Sequence, residues 1–290
     1  MVMYEGFYHL NENPFGTTPD PRYLYKSRAH RDALAYLATG VFRKKGFLAV
    51  AGEVGIGKTT IVRAFTQIFD PCLEVSFVLN TRVTFEEMLY LLLTDFGVEI
   101  RNDSKVAMLA SLNAFLIDRF ASNQNTVLVI DEAQNLSPDV LEELRMLSNL
   151  ETDDQKLIQI LLVGQTELNE LLQREDLRQL RQRIPGIFNI EYLTRNEVFQ
   201  YIRYRLATAG LRNGSLVFSD DAIDSIHRYT SGIPRLINML CDRVLVRGYQ
   251  QRSRAVDRRL VEVAARELSD HFGIRRSQMP RTGTEGGFAQ

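Results

Sequence analysis

Residues 52–59 read Gly-Glu-Val-Gly-Ile-Gly-Lys-Thr, the pattern G-x-x-x-x-G-K-T. This pattern works only as the turn between a buried strand and a helix N-terminus. Its glycines let the backbone curl until several N–H groups converge on phosphate oxygens, with the lysine on the β and γ phosphates and the hydroxyl on Mg²⁺. The cradle expected here is Gly52, Glu53, Val54, Gly55, Ile56, Gly57, Lys58, Thr59 and Thr60, with Thr59 also a metal ligand. The flanks agree. Residues 47–51, Phe-Leu-Ala-Val-Ala, form a short apolar run, and after the loop apolar residues fall at 61, 62, 64, 65, 68 and 69. The first spacing predicts a buried strand and the second a helix. The ligands implied are ATP and Mg²⁺. The plain alternative is a glycine-rich turn with a solvated lysine.

A phosphate loop binds nucleotide; hydrolysis needs a metal partner and a group that orients water. Residues 127–130, Val-Leu-Val-Ile, run into Asp131 and Glu132. A buried strand thus delivers two carboxylates to the C-terminal edge of a sheet, where open α/β folds bind ligands. Asp131 is expected to hold Mg²⁺ and Glu132 to polarise the attacking water. Gln165 follows another apolar strand, 157–163, and Gly164. It is expected to sense the γ phosphate; the alternative is an ordinary loop glutamine. Arg174, Arg178, Arg181 and Arg183 crowd the segment before Pro185. Arg178 and Arg181 are the candidates for a charge-stabilising arginine acting on a neighbouring subunit; the alternative is a solvated, salt-bridged face. Gly232-Ile-Pro-Arg235 marks the turn into a C-terminal helix, from which Arg235 is expected to face the nucleotide.

Strand patterns at 47–51, 72–80, 126–130, 157–163 and 187–191 alternate with helical ones, which predicts a parallel sheet covered on both faces. Thr84 and Thr194 each precede a glutamate by three residues, so capped helices begin there. From 194 to 267 the pattern is helical only, which predicts a separate bundle. The composition, 45% hydrophobic and 24% charged with a net charge of −1, is that of a folded domain with no global field for nucleic acid or membrane. Cys72 and Cys241 lack metal-type spacing and fit a reducing compartment. No apolar run approaches the ~18–20 residues of a membrane span, and the N-terminus lacks a signal-peptide pattern, so a cytoplasmic location is expected.

With these residues in place the chain resembles the AAA+ ATPases, and among them the general secretion pathway protein A family. The resemblance is carried by Met3-Tyr-Glu-Gly-Phe-Tyr8, Asn13-Pro-Phe15, Thr18-Pro-Asp-Pro-Arg-Tyr-Leu-Tyr25 and Arg28-Ala-His-Arg31. It continues through the phosphate loop, Asp131-Glu-Ala-Gln134, Leu162-Val-Gly-Gln165 and Gly232-Ile-Pro-Arg235. It implies an α/β P-loop AAA+ domain followed by a small all-α lid, with Arg235 as the second sensor. The expected organisation is an aromatic- and proline-rich segment plus helix packing on the ATPase core over 1–46, the ATPase domain over 47–192, the lid over 193–272 and a disordered tail over 273–290. It also implies an ATP-hydrolysing oligomer, a ring or a filament, with membrane-embedded secretion, pilus or exopolysaccharide-export proteins as clients. The chain would then sit peripherally at the inner membrane through those partners.

A DNA-binding regulator of transposition, of the TnsC or TniB type, is the competing function. Arg243, Arg247, Arg252, Arg254, Arg258 and Arg259 stand against Asp242 and Asp257 within residues 241–260. Such a cluster can neutralise phosphates, or form a solvated face or a subunit contact. A nucleotide switch with little turnover and a small-molecule P-loop kinase are further alternatives. Glu132 disfavours the first and the separate helical region the second.

Overall fold

The computed structural model describes residues 4–16, 20–79, 81–211 and 216–272. In chain order the elements are α1 (Glu5–Tyr8), α2 (Arg28–Phe42), β1 (Phe47–Ala51), α3 (Lys58–Phe69), β2 (Leu73–Val78), α4 (Phe85–Asp95) and α5 (Lys105–Ala121). Next come β3 (Asn125–Ile130), α6 (Pro138–Leu147), β4 (Ile158–Gly164), α7 (Glu167–Gln173), α8 (Arg178–Arg181) and β5 (Ile187–Asn189). The chain ends with α9 (Arg195–Thr208), β6 (Val217–Phe218), α10 (Asp220–Thr230), α11 (Pro234–Gln250), β7 (Ala255–Val256) and α12 (Arg258–Phe272). It divides into two compact units, one spanning Pro19–Tyr192 and the other joining Met1–Thr18 to Leu193–Gln290.

In the first unit β1–β5 form one parallel sheet in the order β2-β3-β4-β1-β5. Side chains alternate across a strand, so a sheet with apolar residues at every position needs a core on each face. Phe47 and Ala49 enter one core, with α4, α5 and α6, while Leu48 and Val50 enter the other, with α2 and α3. Strands β3 and β4 split the same way: Leu128 and Ile160 on one side, Val129 and Leu161 on the other. Gly40 lets α2 lie close on the sheet, since a Cβ there would sit 2.2 Å from the Leu48 side chain.

The second unit is helical, as expected, apart from a two-residue parallel pair, Val217 with Ala255 and Phe218 with Val256. Strands that short carry no readable alternation. The aromatic segment at residues 4–16 belongs to this unit. The Tyr4 hydroxyl donates to Asp242 Oδ1 at 2.5 Å and that of Tyr8 to the Leu245 carbonyl at 3.1 Å. The buried Arg205 guanidinium donates to the carbonyls of Pro14 and Gly16 at 2.5 and 3.2 Å. A buried charge needs such acceptors, and the segment supplies them. The expected tail over 273–290 lies outside the described residues. Among the described residues no helix is long and apolar enough to cross a membrane.

Candidate nucleotide site

Strand order builds the site. Strands β1, β4 and β3 are neighbours, and the chain leaves their C-terminal ends at residues 52, 165 and 131. The loop after β1 turns through Gly55 at φ 80° and Gly57 at φ 108°, where a side chain would be strained. The Gly52 N–H still donates to the Gly164 carbonyl at 3.2 Å, which ties the loop to the end of β4. Lys58 is 7% exposed, and its ammonium donates to the carbonyls of Gly52 and Glu53 at 2.8 and 3.1 Å. Burial holds its pKa below the usual lysine range, opposed by the nearby charges of Glu132, Asp131, Glu53 and Glu167. The lysine is therefore folded across its own loop, beside the amides that open α3.

The Thr59 hydroxyl donates to Asp131 Oδ2 at 2.6 Å, and Asp131 Oδ1 accepts from the Glu132 N–H at 2.9 Å. A hydroxyl and a carboxylate in contact at a strand end are hard oxygen donors of the kind Mg²⁺ takes. The described residues contain no group of three or more His, Cys, Asp or Glu able to hold a metal unaided. The Thr59 hydroxyl and the Asp131 carboxylate fit a Mg²⁺–nucleotide.

Glu132 adopts φ 53° and ψ 38°, a left-handed conformation uncommon for a residue with a side chain. Its carboxylate Oε2 accepts from Gln165 Nε2 at 2.9 Å and from Gln134 Nε2 at 2.6 Å. Burial alone would raise its pKa. The Gln165 and Gln134 donors and the Lys58 charge outweigh burial and hold the carboxyl below its ordinary value. Lysine, hydroxyl, two carboxylates and glutamine thus converge at the ends of three adjacent strands.

The model of the AAA domain family matches residues 42–172. General secretion pathway protein A of Aeromonas hydrophila is 39% identical over 274 residues, covering 94% of this chain and 49% of that protein. The chain belongs to the AAA+ family, in the group of general secretion pathway protein A. It spans about half the length of that curated relative. Cdc6p from Pyrobaculum aerophilum superposes with a TM-score of 0.66 at 21% identity, over 88% of this chain and 70% of that one. The Aeropyrum pernix ORC2 protein, in its ADPNP-ADP complexes, gives 0.64 at 16% identity over 89% and 71%. Drosophila ORC bound to DNA gives 0.62 at 18% over 96% and 70%. At these identities the likeness shows the AAA+ fold.

Within this AAA+ chain the arginines before Pro185 separate by their partners. Arg174 pairs with Asp176, Arg181 donates to the Gln173 carbonyl at 3.0 Å, and Arg183 donates to Ser148 Oγ and Asn149 Oδ1 at 2.9 and 2.6 Å. Arg178 is exposed and has no polar partner among the described residues. Neither Arg178 nor Arg181 bonds to Lys58, Thr59, Asp131, Glu132 or Gln165 of its own chain. Arg235 is exposed on the first turn of α11, in the helical unit.

The basic cluster at 243–259 is largely engaged within the chain. Arg243 and Arg247 both pair with Glu267, and Arg258 pairs with Glu262 at 2.7 Å. Arg254 donates to the Phe7 carbonyl at 3.0 Å, and Arg252 lies over the Phe7 and Tyr249 rings. Two site residues had no assigned role in the sequence. Gln134 is one. His30, 6% exposed, is the other: its ring meets Ser27 Oγ at 2.5 Å, and its Nε2 lies 3.1 Å from where a Cβ on Gly57 would sit. Both appear in the motifs that carry the family resemblance, but no spacing rule points to either.

Proposed function

We propose that this chain binds ATP with Mg²⁺, hydrolyses it as a self-associating AAA+ subunit, and energises the assembly of an envelope secretion, pilus or exopolysaccharide-export system. The observation that carries the hydrolysis is the contact of Glu132 with Gln165 beside the Thr59–Asp131 pair. Residues 52–60 cradle the phosphates through backbone N–H groups, and Lys58 swings from its own carbonyls to the β and γ phosphates. Thr59 and Asp131 would hold the metal, which would supply charge neutralisation at the phosphoryl oxygens. Glu132 orients water and takes its proton, and Gln165 ties that carboxylate to the γ-phosphate position. Arg178 is the better candidate for a finger that reaches a neighbouring subunit, because Arg181 is occupied by its own chain. Arg235 is assigned to nucleotide sensing from the helical unit.

The secretion system is supported by the 39% identity to general secretion pathway protein A. A location at the cytoplasmic face of the inner membrane, held by partners, follows from that reading. Binding of DNA through the arginine cluster is disfavoured, because five of its six guanidinium groups already have partners in the chain. The deciding experiment is ATP hydrolysis with and without duplex DNA across a salt series, with Lys58→Ala as the blank. Mg²⁺-dependent turnover, absent from the blank and indifferent to DNA, is expected. Stimulation by DNA that fades with salt would transfer the assignment to DNA remodelling.

A further inference from the structure

Gln134 lies two residues beyond Glu132 and touches both partners of the hydrolytic pair. Its Nε2 donates to Glu132 Oε2 at 2.6 Å, and its Oε1 accepts from the Gln165 backbone N–H at 3.0 Å. The orientation of this amide is dictated by chemistry. A backbone N–H can only donate, so the amide oxygen must face Gln165, and the NH₂ is thereby turned to the carboxylate. The Gln165 side chain closes the ring by donating to the same Oε2 at 2.9 Å. Among the described residues no bond is made by the second carboxylate oxygen of Glu132, Oε1, which is left for water.

The surroundings are shaped for this amide. A Cβ on Gly164, the last residue of β4, would lie 2.8 Å from Gln134 Oε1 and 3.0 Å from Leu168 Cβ. Only a glycine leaves the Gln134 amide room beside the strand. Glu132 itself stands at φ 53°, a conformation that persists where neighbours over-determine it. Two amide donors on one carboxylate oxygen supply that constraint.

We propose that Gln134 is a positioning residue: its amide locks the Glu132 carboxylate and the Gln165 sensor into one rigid unit, so that Oε1 of Glu132 is aimed at the attacking water. This rests on the reading of Glu132 as the water-activating group. Gln134 touches no reacting atom. Its effect therefore belongs in the rate of the chemical step and not in nucleotide affinity, and misplacement by about 1 Å costs on the order of 100-fold in rate.

The test uses the full chain with Gln134→Ala, Gln134→Met and Glu132→Gln, after thermal melts show each variant folded. Gln134→Met keeps side-chain bulk without the bonds and separates packing from hydrogen bonding. Expected for both Gln134 variants is a fall in kcat of roughly 10- to 100-fold, with the Kd for ATP within about threefold of native. In the protein without nucleotide, hydrogen exchange at the Gln165 backbone amide should quicken in both, because its acceptor is gone. Gln134→Ala combined with Gln165→Ala should cost no more than Gln165→Ala alone, as expected of residues that act as a unit. Native or increased kcat in Gln134→Ala while Glu132→Gln is inactive would overturn the proposal, as would unchanged exchange at Gln165. Native turnover in Glu132→Gln would instead overturn the reading of Glu132 on which it rests.

Discussion

Glu132 combines a left-handed backbone with a carboxylate held by two amides. Such backbone strain costs on the order of 1 kcal/mol and is tolerated where neighbours hold it in place. Glu132→Gln is expected to retain ATP binding and lose about 10²- to 10⁴-fold in turnover, the range general-base catalysis supplies. Loss of binding instead would make the residue structural. Lys58→Ala should abolish productive ATP binding, measured by titration with a fluorescent nucleotide; native affinity in that variant would remove the phosphate-loop assignment. Arg178→Ala should lower kcat by about 10³-fold or more if it acts as an arginine finger. Mixing it with Glu132→Gln should partly restore activity, since each interface then has a chance of one intact half-site from each partner. Absence of rescue at every mixing ratio would count against a shared site.

The turn at Gly232 and the α11–α12 pair give predictions at the level of elements. At φ 79°, a Cβ on Gly232 would lie 2.0 Å from the Leu193 carbonyl oxygen. The Leu193 N–H also donates to the Gly232 carbonyl at 3.1 Å, so this backbone pair anchors the start of the helical unit. Gly232→Ala should therefore destabilise by about 2–3 kcal/mol, read from the denaturation midpoint, because a backbone oxygen cannot step aside as a side chain can. Glu267 joins α12 to α11 through Arg243 and Arg247. Burial alone would raise its pKa, but the two guanidinium groups win and lower it from the ordinary 4.5. A carboxyl whose folded pKa is depressed adds stability above its unfolded value, and that stability is lost as pH falls through the folded one. The arginines are a third or more exposed, so the contribution is up to about 1 kcal/mol. Native protein should melt above Glu267→Gln at pH 7, with the gap closing below about pH 4.5; a gap unchanged at acid pH would mean the carboxylate is not the source.

For the whole molecule, the proposal requires a neighbour. Self-association should strengthen with ATP and weaken in Lys58→Ala, as read by sedimentation or light scattering. A monomer at all nucleotide concentrations would remove the finger role from Arg178. Much of this was legible in the chain itself. The phosphate loop, the acidic pair and the two capped helices at Thr84 and Thr194 are local patterns, set by backbone geometry over fewer than ten residues. The doubly covered sheet was legible too, because strands buried on both faces must be apolar throughout. What only the tertiary structure decided is non-local. The strand order brought residues 52, 131 and 165 together. The packing of the N-terminal tyrosines on Asp242 and Leu245, and of Arg254 on the Phe7 carbonyl, joins residues more than 200 positions apart. Gln134 became visible only when the ends of β3 and β4 met, because a glutamine carries no signature of its own until a carboxylate and a backbone N–H lie within 3 Å of its amide. Periodicity says that a residue is buried or turned outward. It cannot say against which distant partner, since that is chosen by the packing of the whole chain.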